Sequence, residues 1–135
     1  MSSDYEIRFE PASRRMRVEF NGAWIADSRR AIVLHETRQP PAYYFPREDV
    51  RTELLEKTEQ LTHCPFRGNA TYWTIRAGGA VAENAAWSYD DPYPASEALR
   101  GRIAFYPDKL EVYTIEESEL HRAPVLGGDA GHSTP

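Results

Sequence analysis

Apolar and polar residues alternate along much of the chain with the two-residue period of β-strands. In MRVEFNGAWIAD, residues 16–27, this alternation flanks the dipeptide Asn21-Gly22, which is favoured in two-residue hairpin turns. The pattern predicts two antiparallel strands with Trp24 on the outer face. The predicted pairs are Phe20 with Ala23 and Val18 with Ile25, and the predicted inner face holds Met16, Val18, Phe20 and Ile25.

Further strand patterns follow at short intervals. RAIVLHE and AYYF are separated by Pro40 and Pro41, so they form two strands rather than one. Another strand begins near Gln60, ATYWTIR and AVAENAAWSY flank Gly78-Gly79, and RIAFY and LEVYTIE form a final hairpin around PDK. PREDVRTELLEK predicts one or two helical turns, and ASEALRG predicts a short helical turn. About nine strands result.

Hairpins at this spacing, with brief helical insertions, predict a mainly β fold: a single-domain antiparallel β sandwich or half-open barrel. We expect a flexible segment at residues 1–14, one β domain at 15–118 and a mobile tail at 119–135. The predicted core residues are Trp73, Ile75, Val81, Trp87, Ile103, Phe105 and Val112.

Composition narrows the functional classes. The chain has 135 residues and a formal net charge of −5, which is unfavourable for binding a phosphate backbone, so nucleic acid is not an expected partner. No run approaches the roughly 18 apolar residues of a transmembrane helix, and the start does not resemble a secretory signal. With Cys64 as the single cysteine, we expect a cytoplasmic protein without an internal disulfide.

The segment LTHCPFRGNATYW, residues 61–73, contains several side chains that could react or bind a ligand. A structural zinc site usually needs four ligands, commonly paired cysteines, and His63 and Cys64 supply two. We therefore predict neither a metal nor a cofactor. Nucleotidyl transfer is also not indicated, because no two aspartates are separated by one residue and no phosphate-binding loop is present.

Cys64 and His63 are the weak catalytic candidates. A histidine can activate a thiol nucleophile, but neighbouring residues in an extended strand point to opposite faces, and Pro65 favours an extended Cys64. His35 or His121 would then have to approach Cys64. The simpler interpretation is a buried, inert thiol beside a hydrogen-bonded histidine.

A binding pocket around the same turn is the alternative. Arg67 can offer a planar fork to an anion, Gly68 permits close backbone approach, and aromatic side chains can cover an organic ring. We expect a small anionic or aromatic metabolite as ligand. The predicted ligand-binding residues are Tyr44, His63, Arg67, Tyr72, Trp87 and Tyr89.

Five segments, VEFNGAWIADS, YYFPREDV, THCPFRGNATYW, ENAAWSY and GRIAFYPDKLEVY, together resemble the bacterial domain of unknown function family 427, which also carries a nucleotidyltransferase-like label. The resemblance extends from Arg15 to Glu116. It implies a small, largely β protein without an established reaction. The matching segments nominate Tyr44, Glu48, Asp49, His63, Cys64, Arg67, Tyr72, Trp87 and Tyr89.

Three functional hypotheses remain open. The first is a binding module, or an enzyme, for a small anionic or aromatic metabolite. The second is a thiol- or histidine-dependent transferase or hydrolase. The third is a protein-interaction domain whose strand edges join a partner or form a homodimer.

Overall fold

The computed structural model describes residues 5–115, and β-strands account for most of this range. The strands are β1 (Ile7–Pro11), β2 (Arg15–Phe20), β3 (Ala23–Ser28), β4 (Ile32–Glu36), β5 (Ala42–Phe45), β6 (Leu55–Cys64), β7 (Gly68–Ala77), β8 (Ala80–Ser88), β9 (Ile103–Phe105) and β10 (Glu111–Ile115). Short 3₁₀ segments span Arg47–Asp49, Thr52–Leu54 and Pro94–Leu99. None of these helical segments is long and apolar enough to cross a membrane. The predicted tail, residues 119–135, lies outside the described residues.

Two antiparallel sheets form the domain. The larger sheet has seven strands in the order β1-β4-β5-β9-β8-β7-β6, and the smaller has the order β10-β2-β3. Both sheets have free edges, so the strands do not close into a barrel. The predicted mainly β fold is confirmed, and the arrangement is that of a sandwich.

The predicted Asn21-Gly22 hairpin joins β2 to β3. Both turn residues have positive φ, 52° and 81°, as a type I′ turn requires, and Phe20 pairs with Ala23 as predicted. The other predicted pair is wrong, because a register shift at Val18 and Glu19 pairs Val18 with Ala26 instead of Ile25. Such a register shift is a β-bulge, in which one strand carries one residue more than its partner.

The hydrophobic core lies between the two sheets. Of the predicted core residues, Ile75, Ile103 and Phe105 are buried, which confirms them. The other predicted aromatics and Val112 are half-buried. We call this core the first cluster. Its buried members include Met16, Val18, Ile25 and Ala26 from the small sheet and Phe45, Ile75, Ala86, Ile103 and Phe105 from the large sheet.

Val81 is a wrong core prediction, since its side chain is 46% exposed. It pairs with Arg76 near the Gly78-Gly79 turn, and directly paired residues project from the same face. Arg76 is exposed and bonded to Glu56, so Val81 lies on the solvent side. The apolar character of valine alone did not reveal that Val81 faces solvent.

The predicted final hairpin is also wrong. β9 lies in the large sheet between β5 and β8, whereas β10 pairs with β2 in the small sheet. The intervening residues carry the chain from one sheet to the other, and Leu110 is buried in the core between them. Burial of Leu110 therefore directs the chain across the sandwich instead of back along β9.

The chain also forms a strand within the segment predicted to be flexible, residues 1–14. β1 pairs antiparallel with β4 at the edge of the large sheet, and its two apolar residues, Ile7 and Phe9, pack on a second cluster. In PREDVRTELLEK the helical turns are short, because β6 already begins at Leu55. The last three residues of the predicted helical segment are instead the start of β6, which pairs with the long strand β7.

The second cluster covers the face of the large sheet that points away from the small sheet. Tyr44 pairs with Ala104, Ala104 with Trp87, and Trp87 with Tyr72, so these four side chains project from one face. The 3₁₀ segment Pro94–Leu99 contributes buried Leu99 to this cluster. Aromatic side chains thus line a face that no second sheet covers within residues 5–115.

Truncating the core should cost far more stability than truncating an outer position. Phe45 is fully buried and its ring meets Phe105 edge-on at 5.7 Å, so Phe45→Ala should lower the free energy of unfolding by about 3–5 kcal/mol. Val81→Ala should change it by no more than about 0.5 kcal/mol. Urea unfolding measures both values, and equal losses would contradict the assigned burial.

Candidate functional site

A cavity of about 470 Å³ lies at the large sheet, and residues from both faces of that sheet line it. It is wide enough for a small organic molecule. Most of its wall is aromatic or apolar, and its charged groups are one arginine and one glutamate. The lining residues are Leu34, Glu36, Gln39, Pro40, Pro41, Ala42, Tyr43, Tyr44, Phe45, Arg67, Tyr72, Trp87, Tyr89, Phe105, Tyr106, Pro107 and Val112. We call this cavity the tyrosine pocket.

The pocket lies where β5 and β9 separate. These strands pair at two positions, and the lining includes residues before the paired part of β5 and after that of β9. Pro41 precedes β5 and Pro107 follows β9 closely. Proline has no backbone N–H for a ladder hydrogen bond, so neither strand can continue the pairing through these residues.

Aromatic contacts form the wall. The Trp87 indole N–H donates to the Tyr44 hydroxyl at 3.0 Å, and the two rings meet edge-on at 5.9 Å. The Trp87 and Tyr106 rings lie 4.4 Å apart, inclined by 39°. Between Tyr44 and Trp87 in the sheet register is Ala104, whose small side chain leaves room for both rings to meet above it.

Burial shifts the pKa of two tyrosine hydroxyls in the pocket, those of Tyr44 and Tyr106. It raises the pKa of Tyr44 well above its ordinary value. The pKa of Tyr106 is also raised, mainly by burial and further by a hydrogen bond with Tyr72. Neutral phenols both donate and accept hydrogen bonds, so the pocket offers polar contacts without adding charge.

An ion pair marks one end of the pocket. Arg67 Nη1 donates to Glu36 Oε1 at 3.2 Å, and its Nε donates to the Tyr89 hydroxyl at 3.3 Å. The two charged side chains are each only 14% exposed. The Tyr5 hydroxyl donates to the other carboxylate oxygen, and this hydrogen bond raises the pKa of Tyr5.

Arg67 remains charged in this environment. Burial alone would lower its pKa, but the hydrogen bond to Tyr89 and the nearby Glu36 carboxylate outweigh burial and raise it. Burial raises the pKa of Tyr89, which Arg67 partly offsets. A guanidinium has five N–H donors, and the bonds to Glu36 and Tyr89 use two of them, which leaves donors for a ligand at the pocket wall.

The turn between β6 and β7 holds Arg67 in place. The Arg67 backbone N–H donates to Cys64 O at 3.2 Å, and the Arg67 carbonyl accepts from Tyr93 N at 3.1 Å. Gly68 has φ of +111°, and a Cβ there would lie 3.4 Å from Asp91 O. The space beside Gly68 is therefore filled by this chain's own backbone, not left for a ligand as the sequence suggested.

His63 does not line the tyrosine pocket, although the sequence grouped it with Arg67. It is exposed on β6, where its Nδ1 lies 2.8 Å from Asn69 Oδ1 and its Nε2 lies 3.4 Å from the Tyr93 hydroxyl. Cys64 is half-buried and packs against the second cluster. The alternation of a strand thus directs the two side chains to opposite faces.

The structure brings together the other five predicted ligand-binding residues, Tyr44, Arg67, Tyr72, Trp87 and Tyr89. Sequence reasoning missed Glu36 and Tyr106. The alternation could have found both, because Glu36 follows buried Leu34 by two residues and Tyr106 follows Ala104 by two. Neither signal shows that the two strands separate beside them.

The remaining nominated acidic residues lie elsewhere. Glu48 and Asp49 both contact Arg30, and Asp49 also accepts from Ser28 at 2.6 Å. Within residues 5–115, no group of three or more His, Cys, Asp or Glu side chains is placed to hold a metal ion. These carboxylates therefore stabilise the segment after β5.

Comparison with known proteins gives one match. The family model described as Domain of unknown function (DUF427) matches residues 8–116, which include every described strand except the first residue of β1. No curated protein matches the chain.

The Arg67–Glu36 pair should show strong energetic coupling. Arg67→Gln leaves a largely buried carboxylate without its cation, so it should lower the free energy of unfolding by about 2 kcal/mol or more. The double variant Arg67→Gln/Glu36→Gln should lose less than the single variant, because no charge remains unpaired. Urea unfolding of the wild type, both single variants and the double variant measures the coupling. Additive losses would contradict it.

Proposed function

We propose that the chain, which belongs to the DUF427 family, binds a small planar aromatic molecule in the tyrosine pocket. The observation that carries this proposal is the combination of an aromatic wall with one polar end in a single cavity of about 470 Å³. Small-molecule sites characteristically combine an apolar lining with a few placed polar groups. An aromatic ring can pack against Trp87 and Tyr106, whose own rings are inclined.

The polar end favours a neutral acceptor on the ligand. Arg67 has donors to offer, but its charge is already balanced by Glu36. A ligand carboxylate would approach Arg67 only against repulsion from Glu36. A carbonyl oxygen accepts from Arg67 without that penalty, and an amide N–H beside it could donate to Glu36 or to a tyrosine hydroxyl. Of the anionic and aromatic alternatives, the aromatic one is thus better supported.

The other two hypotheses have less support. A thiol mechanism needs a base beside Cys64, and the adjacent histidine points to the opposite face. Of the edge strands, the long strand β6 carries exposed Glu56, Lys57 and Glu59. Charged side chains on an edge strand oppose pairing with another chain.

Benzamide is a suitable probe, because it carries one ring and one amide. We expect it to shift the NMR signals of the Trp87 indole N–H and the Arg67 side chain, with a dissociation constant on the order of 1 mM, as befits a fragment of nine heavy atoms. Benzoate should bind more weakly than benzamide, since Glu36 repels its carboxylate. Tighter binding of benzoate would contradict the assigned role of Glu36.

A matched pair of double variants tests the site itself. Arg67→Gln/Glu36→Gln should weaken benzamide binding about fivefold, because hydrogen bonds to a charged donor are roughly twice as strong as neutral ones. The control, Arg76→Gln/Glu56→Gln, removes a similar Arg–Glu pair that lies on the solvent side, with side chains 60% and 62% exposed. Equal effects of the two double variants, or no saturable binding to the wild type, would overturn the proposal.

A further inference from the structure

A second concave surface lies beyond the C-terminal end of β5 and the N-terminal end of β9. It encloses about 440 Å³ and brings together four arginines from three separate segments of the chain. We call it the arginine cleft. Its lining residues are Arg30, Pro46, Arg47, Glu48, Asp90, Arg100, Gly101 and Arg102. None of them lines the tyrosine pocket.

Three of the four arginines are already paired with carboxylates. The pairs are Arg30 with Glu48 at 3.0 Å and Asp49 at 3.3 Å, Arg47 with Asp90 at 2.9 Å, and Arg100 with Glu97 at 2.6 Å and Asp91 at 3.4 Å. Arg47 is further fixed by a bond from its Nε to Gly101 O at 2.9 Å and by its position over the Trp73 ring. These contacts link the chain segments that form the cleft.

Arg102 differs from the other three. It is half-buried, and its guanidinium donates from Nη1 to the Arg30 backbone carbonyl at 3.0 Å. No carboxylate within the described range of the chain forms a salt bridge with it. Burial lowers the pKa of Arg102, the like charge of Arg30 lowers it further, and the nearby carboxylates of Glu48 and Asp49 act in the opposite direction. The fold therefore holds a half-buried cation without a salt bridge beside a second cation, an arrangement that favours binding of an anion.

We propose that the arginine cleft binds a tetrahedral oxyanion, either inorganic phosphate or the phosphoryl group of a small metabolite, through Arg102, the cleft arginine that forms no salt bridge within the described residues. A guanidinium presents a planar fork of donors that matches the oxygens of such an anion. Arg102 has four N–H donors besides the one bonded to Arg30, so it can contact two oxygens at once. The left-handed φ of 73° at Gly101 turns the chain so that Arg100 and Arg102 both reach the cleft.

Such binding would have to be local. The whole chain carries a formal net charge of −5, so long-range electrostatics repel anions from it. Saturable phosphate binding would therefore report a specific arrangement of cations and not a generally basic surface. The proposal does not depend on a ligand in the tyrosine pocket.

Calorimetric titration of the full chain with inorganic phosphate at low ionic strength tests the proposal. Arg102→Gln should weaken binding about tenfold, because it removes the unpaired charge, while its amide can still donate to Arg30 O. The control is Arg51→Gln, since Arg51 is also half-buried and also donates to a backbone carbonyl, that of Trp24 at 3.3 Å. The control variant should bind phosphate as the wild type does.

Titration with glycerol 3-phosphate distinguishes the two sources of the anion. Tighter binding of the ester than of phosphate would assign the site to a phosphorylated metabolite, and equal binding would assign it to the free anion. Urea unfolding verifies that Arg102→Gln and Arg51→Gln are both folded. Absence of saturable phosphate binding, or equal affinities of Arg102→Gln and Arg51→Gln, would overturn the proposal.

Discussion

The large sheet buries side chains on both faces, but the small sheet covers only one of them. The covered face packs Phe45, Ile75 and Ile103 against the small sheet and forms the main core. Within residues 5–115, the other face is covered by the 3₁₀ segment around Leu99 and by its own large aromatic side chains. Aromatic rings cover much area but leave gaps where strands diverge, and the tyrosine pocket is such a gap.

The same constraint explains the polar end of the pocket. Glu36 follows Leu34 on the second face, so its carboxylate is carried to the edge of the buried area, where a lone charge would be costly. Arg67, fixed by the turn after β6, supplies the compensating charge at 3.2 Å. The pair is thus both a structural requirement of this face and the main polar feature that a ligand would meet.

Local signals in the sequence predicted local structure well. Asn21-Gly22 and Gly78-Gly79 specify their hairpins through positive φ, and Pro40-Pro41 separates β4 from β5. These signals depend on residues adjacent in the chain. The mainly β class and the sandwich follow from them, because closely spaced hairpins produce antiparallel sheets.

Long-range pairing was not predictable from the same signals. Whether β10 turns back on β9 or crosses to β2 depends on where Leu110 is buried, and the edge position of β1 depends on β4. For the site, the aromatic residues were found by type and alternation, but His63 was grouped with Arg67 from proximity in the chain. Strand alternation places the side chains of His63 and Cys64 on opposite faces, and it also decides which side chains face the pocket. Only the full strand register reveals which face of the large sheet is open.

Occupation of the tyrosine pocket is tested most directly by filling it. Ala42 pairs with Leu34 on the second face and lines the cavity, so Ala42→Phe places a ring in the proposed ligand space while the core between the sheets is unchanged. Benzamide titration of this variant by NMR should show no saturable shift of the Trp87 indole signal, with folding verified by its dispersed spectrum. Benzamide binding by Ala42→Phe with the affinity of the wild type would contradict the account.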